Sequence, residues 1–271
     1  MKIKFWGTRG SFPTPHADKV IYGGNTSCVE VTTPDNDMII LDMGTGLIDL
    51  GNDLFKRQDP PTDITILLSH YHWDHMIGFL GFNPLFDPRF SFKNYGKKDR
   101  LDLDTIIEKA LDDTFWPISR DMFQARLETS FFPEDSLYIN EKICVESALH
   151  GHPNGTNSYK ITYSGKSVMY TTDCEHPVEH LNPTLAKFGK GVDTLIHDAQ
   201  YTDDELKERI GWGHSSYMQA IEFAKLIDAK RLVLFHHDPM RSDAELKQIE
   251  EDASKHFPNL ICAKQGMEIE I

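Results

Sequence analysis

The sequence predicts an α/β protein in which two packed β-sheets are covered by helices on their outer faces. Two observations carry this expectation. Short apolar, strand-like runs come first in each half of the 271 residues, and helical patterns come later. That order suits sheets that bury one face against each other and the other under helices. The chain is also long enough for a sizeable core, and no apolar run approaches the roughly 18 residues of a membrane span.

Taken in order, residues 2–6 alternate and stop at Gly7-Thr8-Arg9-Gly10-Ser11, a strand feeding a loop. Pro13, Pro15 and Gly23-Gly24 mark 11–24 as loop. Strands follow at 25–32 and 38–41 around the turn Pro34-Asp35-Asn36-Asp37. Asp42-Met43-Gly44-Thr45-Gly46 then leads into a helix over 47–56, with Leu47, Leu50, Leu54 and Phe55 on one side. This glycine-rich turn lacks the lysine and spacing of a P-loop and reads as a tight strand-to-helix connection. Residues 64–68 form an apolar, buried strand.

Between 78 and 139 aromatic residues crowd, among them Phe82, Phe90, Phe92, Trp116 and Phe123. A helix is expected over 103–112, and Pro84, Pro88, Pro117 and Pro133 cut the rest into short pieces. This aromatic-rich stretch of about 82–135 is expected to be an insertion in the domain, and three readings stay open for it: a lid or rim over a pocket, a satellite core, or the contact of a homodimer. Beyond it, strand-like runs lie near 143–145, 158–163, 167–170, 195–196 and 232–235. Helices are expected over 203–210, 216–227 and 244–255.

The composition is that of a soluble globular protein, 39% hydrophobic and 26% charged, with a net charge of −14. Such a chain repels polyanions. The one basic cluster, Lys97-Lys98-Asp99-Arg100, is too small to grip a long nucleic acid, so none is expected as partner. Cys28, Cys144, Cys174 and Cys262 are scattered without a Cys-x-x-Cys pair and read as free thiols. With a first strand in place of a signal peptide and no membrane span, a cytoplasmic protein is expected.

The most informative stretch is Ser69-His70-Tyr71-His72-Trp73-Asp74-His75, delivered by the strand at 64–68. In an extended segment alternate side chains share a side, so His70 and His72 point together. Asp74 and His75 follow where a helix beginning near Met76 would turn them to a second point. Neutral imidazoles are borderline-soft nitrogen ligands, and the adjoining carboxylate and imidazole suit a second cation. Further candidates end other apolar strands: Asp173 after 168–172, and His236 and His237 after 232–235. His150 and His152 compete in Leu149-His150-Gly151-His152-Pro153.

This His-x-His-x-Asp-His stretch resembles the signature of the metallo-β-lactamase fold superfamily. The resemblance implies an αββα sandwich of two mixed β-sheets with helices on the outer faces, as a single domain over 1–271. It implies two divalent metal ions, zinc first, with manganese or iron as alternatives, and a hydroxide held between them. In relatives the ligand histidine lies seven positions before a tyrosine, which selects His152 relative to Tyr159. The implied ligands are His70, His72 and His152 for one ion, Asp74, His75 and His236 for the other, and Asp173 for both. His16, His176, His180 and His256 read as unremarkable.

Two further segments narrow the chemistry. Ile196-His197-Asp198-Ala199 resembles the His-Glu-Ala segment of ribonuclease Z-like phosphodiesterases, with Asp for Glu. Gly213-His214-Ser215-Ser216 resembles their Gly-His-Ser-Thr segment. The implied catalytic residues are Asp74, His214 as proton donor to the leaving oxygen, and Asp198 as its orienting acid. This pair argues against a β-lactamase, and His72 argues against an oxidative diiron enzyme, which carries an acid there. The expected function is hydrolysis of a small phosphodiester, such as a cyclic nucleotide or cyclic sugar phosphate. The alternatives are a tRNA 3′-end endonuclease and a non-catalytic binding protein of the same fold.

Overall fold

A computed structural model describes residues 1–177 and 179–271. The first half runs β1 (Lys2–Gly7), β2 (Cys28–Thr32), β3 (Met38–Leu41), α1 (Gly46–Leu54), β4 (Asp63–Leu67), β5 (Ser91–Gly96), α2 (Leu103–Ala110) and β6 (Arg126–Phe131). The second runs β7 (Leu137–Ile139), β8 (Ile143–His150), β9 (Thr156–Tyr163), β10 (Lys166–Thr171), α3 (Pro183–Phe188) and β11 (Thr194–Asp198). It closes with α4 (Asp203–Lys207), α5 (Tyr217–Leu226), β12 (Leu232–Phe235), α6 (Asp243–Ala253), β13 (Leu260–Cys262) and β14 (Glu268–Glu270).

These strands form two seven-stranded mixed sheets, ordered β14-β1-β2-β3-β4-β5-β6 and β13-β12-β11-β10-β9-β8-β7. Alternation along each strand sets the layers. In β3, Ile39 and Leu41 join Phe5, Val145, Tyr170 and Phe235 between the sheets. Met38 and Ile40 face the other way, onto Leu47, Leu50 and Leu54 of α1. In β12, Val233 and Phe235 point between the sheets, whereas Leu232 and Leu234 pack under α5 with Ile221 and Phe223. The result is the αββα sandwich.

Each half repeats one plan. Antiparallel β1-β2-β3 hands over to parallel β4, β5 and β6, as antiparallel β8-β9-β10 hands over to parallel β11, β12 and β13. The carboxyl ends of the parallel strands are where an open α/β sheet leaves its ligand crevice. Asp42 follows β3 and Asp173 follows β10, each at the handover, and both are left-handed (φ 63° and 50°). The repeat that sequence identity is too weak to reveal is plain in the topology.

Two expectations change, and one open reading is decided. No helix opens at Met76. Short helical turns at Trp73–His75 and Ile77–Gly81 stand there instead, because Gly78 lies hard on the β3–α1 turn: a Cβ on it would be 1.9 Å from the Gly44 carbonyl oxygen. The 82–135 stretch also supplies β5 and β6, two strands of the first sheet, where an insertion was expected. In β5, Phe92, Asn94 and Gly96 are buried and alternate with more open neighbours, a pattern masked in sequence by its polar residues. Finally, Phe79, Phe82, Phe90 and Phe92 are core residues against α1, so packing accounts for these aromatics. α3, β13 and β14 are too short to leave a periodic signal.

Gly44 couples this packing to the loop of Asp74, since a Cβ on it would lie 2.4 Å from the Asp74 carbonyl oxygen and 2.6 Å from Thr26 Oγ1. Gly44→Ala is expected to cost about 1–3 kcal/mol, as overpacking of a tight site does. Thermal unfolding should show a drop of several degrees, and an unchanged midpoint would mean the junction relaxes freely.

Candidate metal centre

Five strand ends deliver the site. Asp42 follows β3, Ser69 to His75 follow β4, Asp173 lies two residues past β10, Asp198 is the last residue of β11, and His236 follows β12. His236 is also left-handed (φ 58°), an uncommon state for a residue this bulky. Gly10 makes room for its ring, since a Cβ there would be 2.3 Å from His236 Cε1.

The side chains fall into two groups around Asp173. His70, His72 and His152 form one, with donor atoms mutually within 4.8 Å. His70 Nε2 and His152 Nε2 lie 3.8 and 3.7 Å from Asp173 Oδ1. Asp74, His75 and His236 form the other around Oδ2, which is 3.0 Å from His75 Nε2 and 3.2 Å from His236 Nε2. Asp74 Oδ2 lies 3.2 Å from both of these nitrogens. One carboxylate thus turns an oxygen to each group, the geometry a bridging ligand needs. His150 ends β8 and lies outside both groups. His237 turns away, its Nε2 against the Ala263 carbonyl oxygen at 2.9 Å.

The donors fit cations. His70 Nε2 is buried without a hydrogen-bond partner, a state protein interiors rarely tolerate. Burial, the largest effect, together with neighbouring histidines, holds His70 neutral, and burial likewise lowers His72 and His152. His75 behaves oppositely. Burial opposes its charge, yet Asp74, Asp173 and Asp42 overcome it and raise its pKa well above the ordinary range. Burial pushes Asp74 and Asp173 up, but the facing imidazoles win and hold both carboxyls well below theirs. Without a cation, the His75 proton is what balances this charge.

Orienting contacts, which sequence reasoning missed, fix the rings. Asp42 Oδ2 lies 2.8 Å from His75 Nδ1, Ser69 Oγ 3.1 Å from His70 Nδ1, and Gln200 Oε1 3.1 Å from His236 Nδ1. His152 Nδ1 meets the Gly213 carbonyl at 2.9 Å, and the Ser11 N–H donates to Asp74 Oδ2 at 2.8 Å. Asp42 was findable: it ends an apolar strand, as Asp173 does.

Beside Asp173 stands His214, its Nδ1 3.9 Å from Oδ1 and 2.8 Å from Asp198 Oδ2. The shorter Asp198 side chain still reaches, because its other oxygen accepts the Ser215 N–H at 2.9 Å and anchors the same loop. Glu175 holds that loop from the far side, accepting the N–H groups of Gly211 and Gly213. Burial lowers the His214 pKa, but Asp198 outweighs it and raises the value to about 9.

Residues 38–237 match the family model of the beta-lactamase superfamily domain. The ribonuclease Z of Thermoplasma acidophilum is 26% identical in an alignment covering 100% of this chain and 96% of that one. Two solved structures show the same fold: the metallo-beta-lactamase fold protein YhfI from Bacillus subtilis (TM-score 0.73, 21% identity, 100% and 98% coverage) and the short form of human tRNase Z (0.73, 22%, 100% and 99%). The family match spans most of the chain, including every strand end that builds the cluster, and the chain therefore belongs to the beta-lactamase superfamily, with the metallo-β-lactamase fold.

Proposed function

We propose that this protein is a metal-dependent phosphodiesterase with a paired-metal centre. His70, His72 and His152 would hold one divalent cation, Asp74, His75 and His236 a second, and Asp173 both; zinc suits this donor set best, with manganese or iron as alternatives. Cations bound there supply Lewis acidity, polarising phosphoryl oxygens and lowering the pKa of water. The observation that carries the phosphodiesterase reading is the His214–Asp198 pair beside Asp173. Asp198 occupies Nδ1, so Nε2 is left to carry a proton to the leaving oxygen of a phosphodiester. Asp74, anchored by the Ser11 N–H, would serve the same reaction by keeping its carboxylate aimed at His75 and His236.

For the substrate, the whole-chain likeness to a protein named ribonuclease Z favours an RNA phosphodiester, which moves the RNA reading ahead of its rank in the sequence. Trp73 and Trp212, both 61% exposed and adjacent in sequence to His72 and Gly213, offer surfaces on which bases stack. A small cyclic phosphodiester is the second reading, favoured by the net charge of −14. The free thiols fit work in a reducing compartment.

A tRNA precursor, cyclic nucleotides and cyclic sugar phosphates offered to metal-loaded protein will rank the substrates. Cleavage of the precursor at its 3′ side supports the first reading. Turnover of the small diesters alone supports the second, and turnover of none removes the phosphodiesterase assignment.

Removing His214 as an alanine is expected to lower turnover by about 10²–10⁴, a typical general-acid contribution. The loss should shrink for a nitrophenolate leaving group, which needs little protonation, and metal content should survive. Equal losses for good and poor leaving groups would instead indicate phosphate positioning. With its pKa raised to about 9, the acid is present below that pH, so turnover falls as pH rises through it. Bound cations pull this limb toward neutrality, and Asp198→Asn should pull it further.

Because carboxylates hold His75 protonated, cation binding at its Nε2 must expel a proton. Affinity should rise with pH through the neutral range, and calorimetry in buffers of different ionisation enthalpy should show proton release. A buffer-independent heat would mean His75 is already neutral.

A further inference from the structure

Behind the paired centre lies a second group of metal-ligating side chains. Strand alternation separates the two. Asp198 points to His214, whereas His197, one residue earlier on β11, points to the helix-covered face and packs on Phe223 of α5, ring centroids 5.3 Å apart. Cys174 follows Asp173 and turns to the same face. His176 stacks on His197 at 5.3 Å and 22°. One donor atom from each of Cys174, His176 and His197 lies within 4.8 Å of the others, and all three residues are buried. His176 directly follows no apolar strand, so no local pattern singles it out.

The group is short of hydrogen bonds. His176 Nε2 and His197 Nε2 are buried without partners, and neighbouring His150 has neither ring nitrogen partnered. Each such group loses its hydration on burial and gains nothing in return when nothing fills the gap. His197 is oriented as a ligand: its Nδ1 lies 2.7 Å from the Asp198 carbonyl oxygen, which fixes the proton there and leaves Nε2 a lone pair. His176 Nδ1 accepts the Asn182 N–H at 3.2 Å, and loading through Nε2 would give up that long contact as the proton moves to Nδ1. His176 also lines a cavity of about 430 Å³ with Pro153, Glu175, Pro177 and Asn182, a path for an ion.

We propose that Cys174, His176 and His197 bind a further divalent cation of the zinc type, separate from the paired centre. One thiolate and two imidazoles are a soft-to-borderline set that suits zinc and disfavours magnesium or calcium. The thiol proton leaves as the Sγ–metal bond forms. Such an ion would brace the chain at Cys174, next to Asp173 of the paired centre, and at His197, next to the Asp198 that holds His214.

Cobalt(II) tests this without reference to activity, because the paired centre contains no sulfur. Full-length protein loaded with cobalt should hold a third equivalent and show a thiolate-to-cobalt charge-transfer band in the near ultraviolet. Cys174→Ser should lose the band and one equivalent, keeping the other two. Cys28→Ser, Cys144→Ser and Cys262→Ser should each keep the band, which assigns it to Cys174 even if Cys174→Ser does not fold. Filling of two positions with no thiolate band, or a band that survives Cys174→Ser, would overturn the proposal, whatever the protein hydrolyses.

Discussion

The buried carboxylate of Asp42 is the contact on which the arrangement of the site depends. It accepts from Ser69 N at 2.7 Å, and from Ser69 Oγ and Tyr170 Oη at 2.8 Å, and it meets His75 Nδ1 at 2.8 Å. Ser69 and His75 lie in the loop after β4, and Tyr170 lies on β10 of the opposite sheet. One side chain therefore pins the histidine motif, keeps a proton on His75 Nδ1 and ties the two sheets together where their parallel strands end. Tyr159 adds a second cross-sheet bond, to the Leu68 carbonyl at 2.6 Å. A buried carboxylate left unpaired costs several kcal/mol, so four partners are what make this position tenable.

That pin lets the fold tolerate an unusual concentration of charge. Asp42, Asp74 and Asp173 all lie close to His75, and their mutual repulsion has to be balanced. The proton on His75 does this in the cation-free protein, and a divalent cation does it more strongly. The left-handed conformations of Asp42, Asp173 and His236 cost about 1–3 kcal/mol each. Each turns a strand's last side chain inward, where regular strand geometry would carry the chain past. Strain and charge are thus concentrated at the same place, and the sheets that hold it carry nearly continuous apolar strands, such as β3 and β12.

How much of this was legible follows from which signals are local. Apolar runs ending in histidine or aspartate exposed β4, β10 and β12 and six candidate ligands after them; His152 came from the resemblance, and all seven side chains gather at Asp173. Asp42 ends β3 in the same manner, yet the glycines after it drew attention to the turn and away from the carboxylate. The orienting roles of Gln200, Ser11 and Gly213 had no signal, because what they contribute is a position in space set by other strands. β5 and β6 were missed because polar residues on both strands blur the alternation, and β6 is also the edge of its sheet, with none of its residues buried.

The choice between His150 and His152 shows where local reading stops. His150 is the last residue of β8 and pairs with Thr156 across the hairpin, so its ring is committed to one face of the second sheet. That face is the helix-covered one, where His176 and His197 lie. His152 is past the strand and free of its alternation. The loop carries it to the opposite side, where Gly213 (φ 91°) leaves space for its ring: a Cβ there would be 2.0 Å from Nδ1. Two histidines a single glycine apart thus serve different faces, and what separates them is the end of the β8 ladder together with a glycine some sixty residues further on.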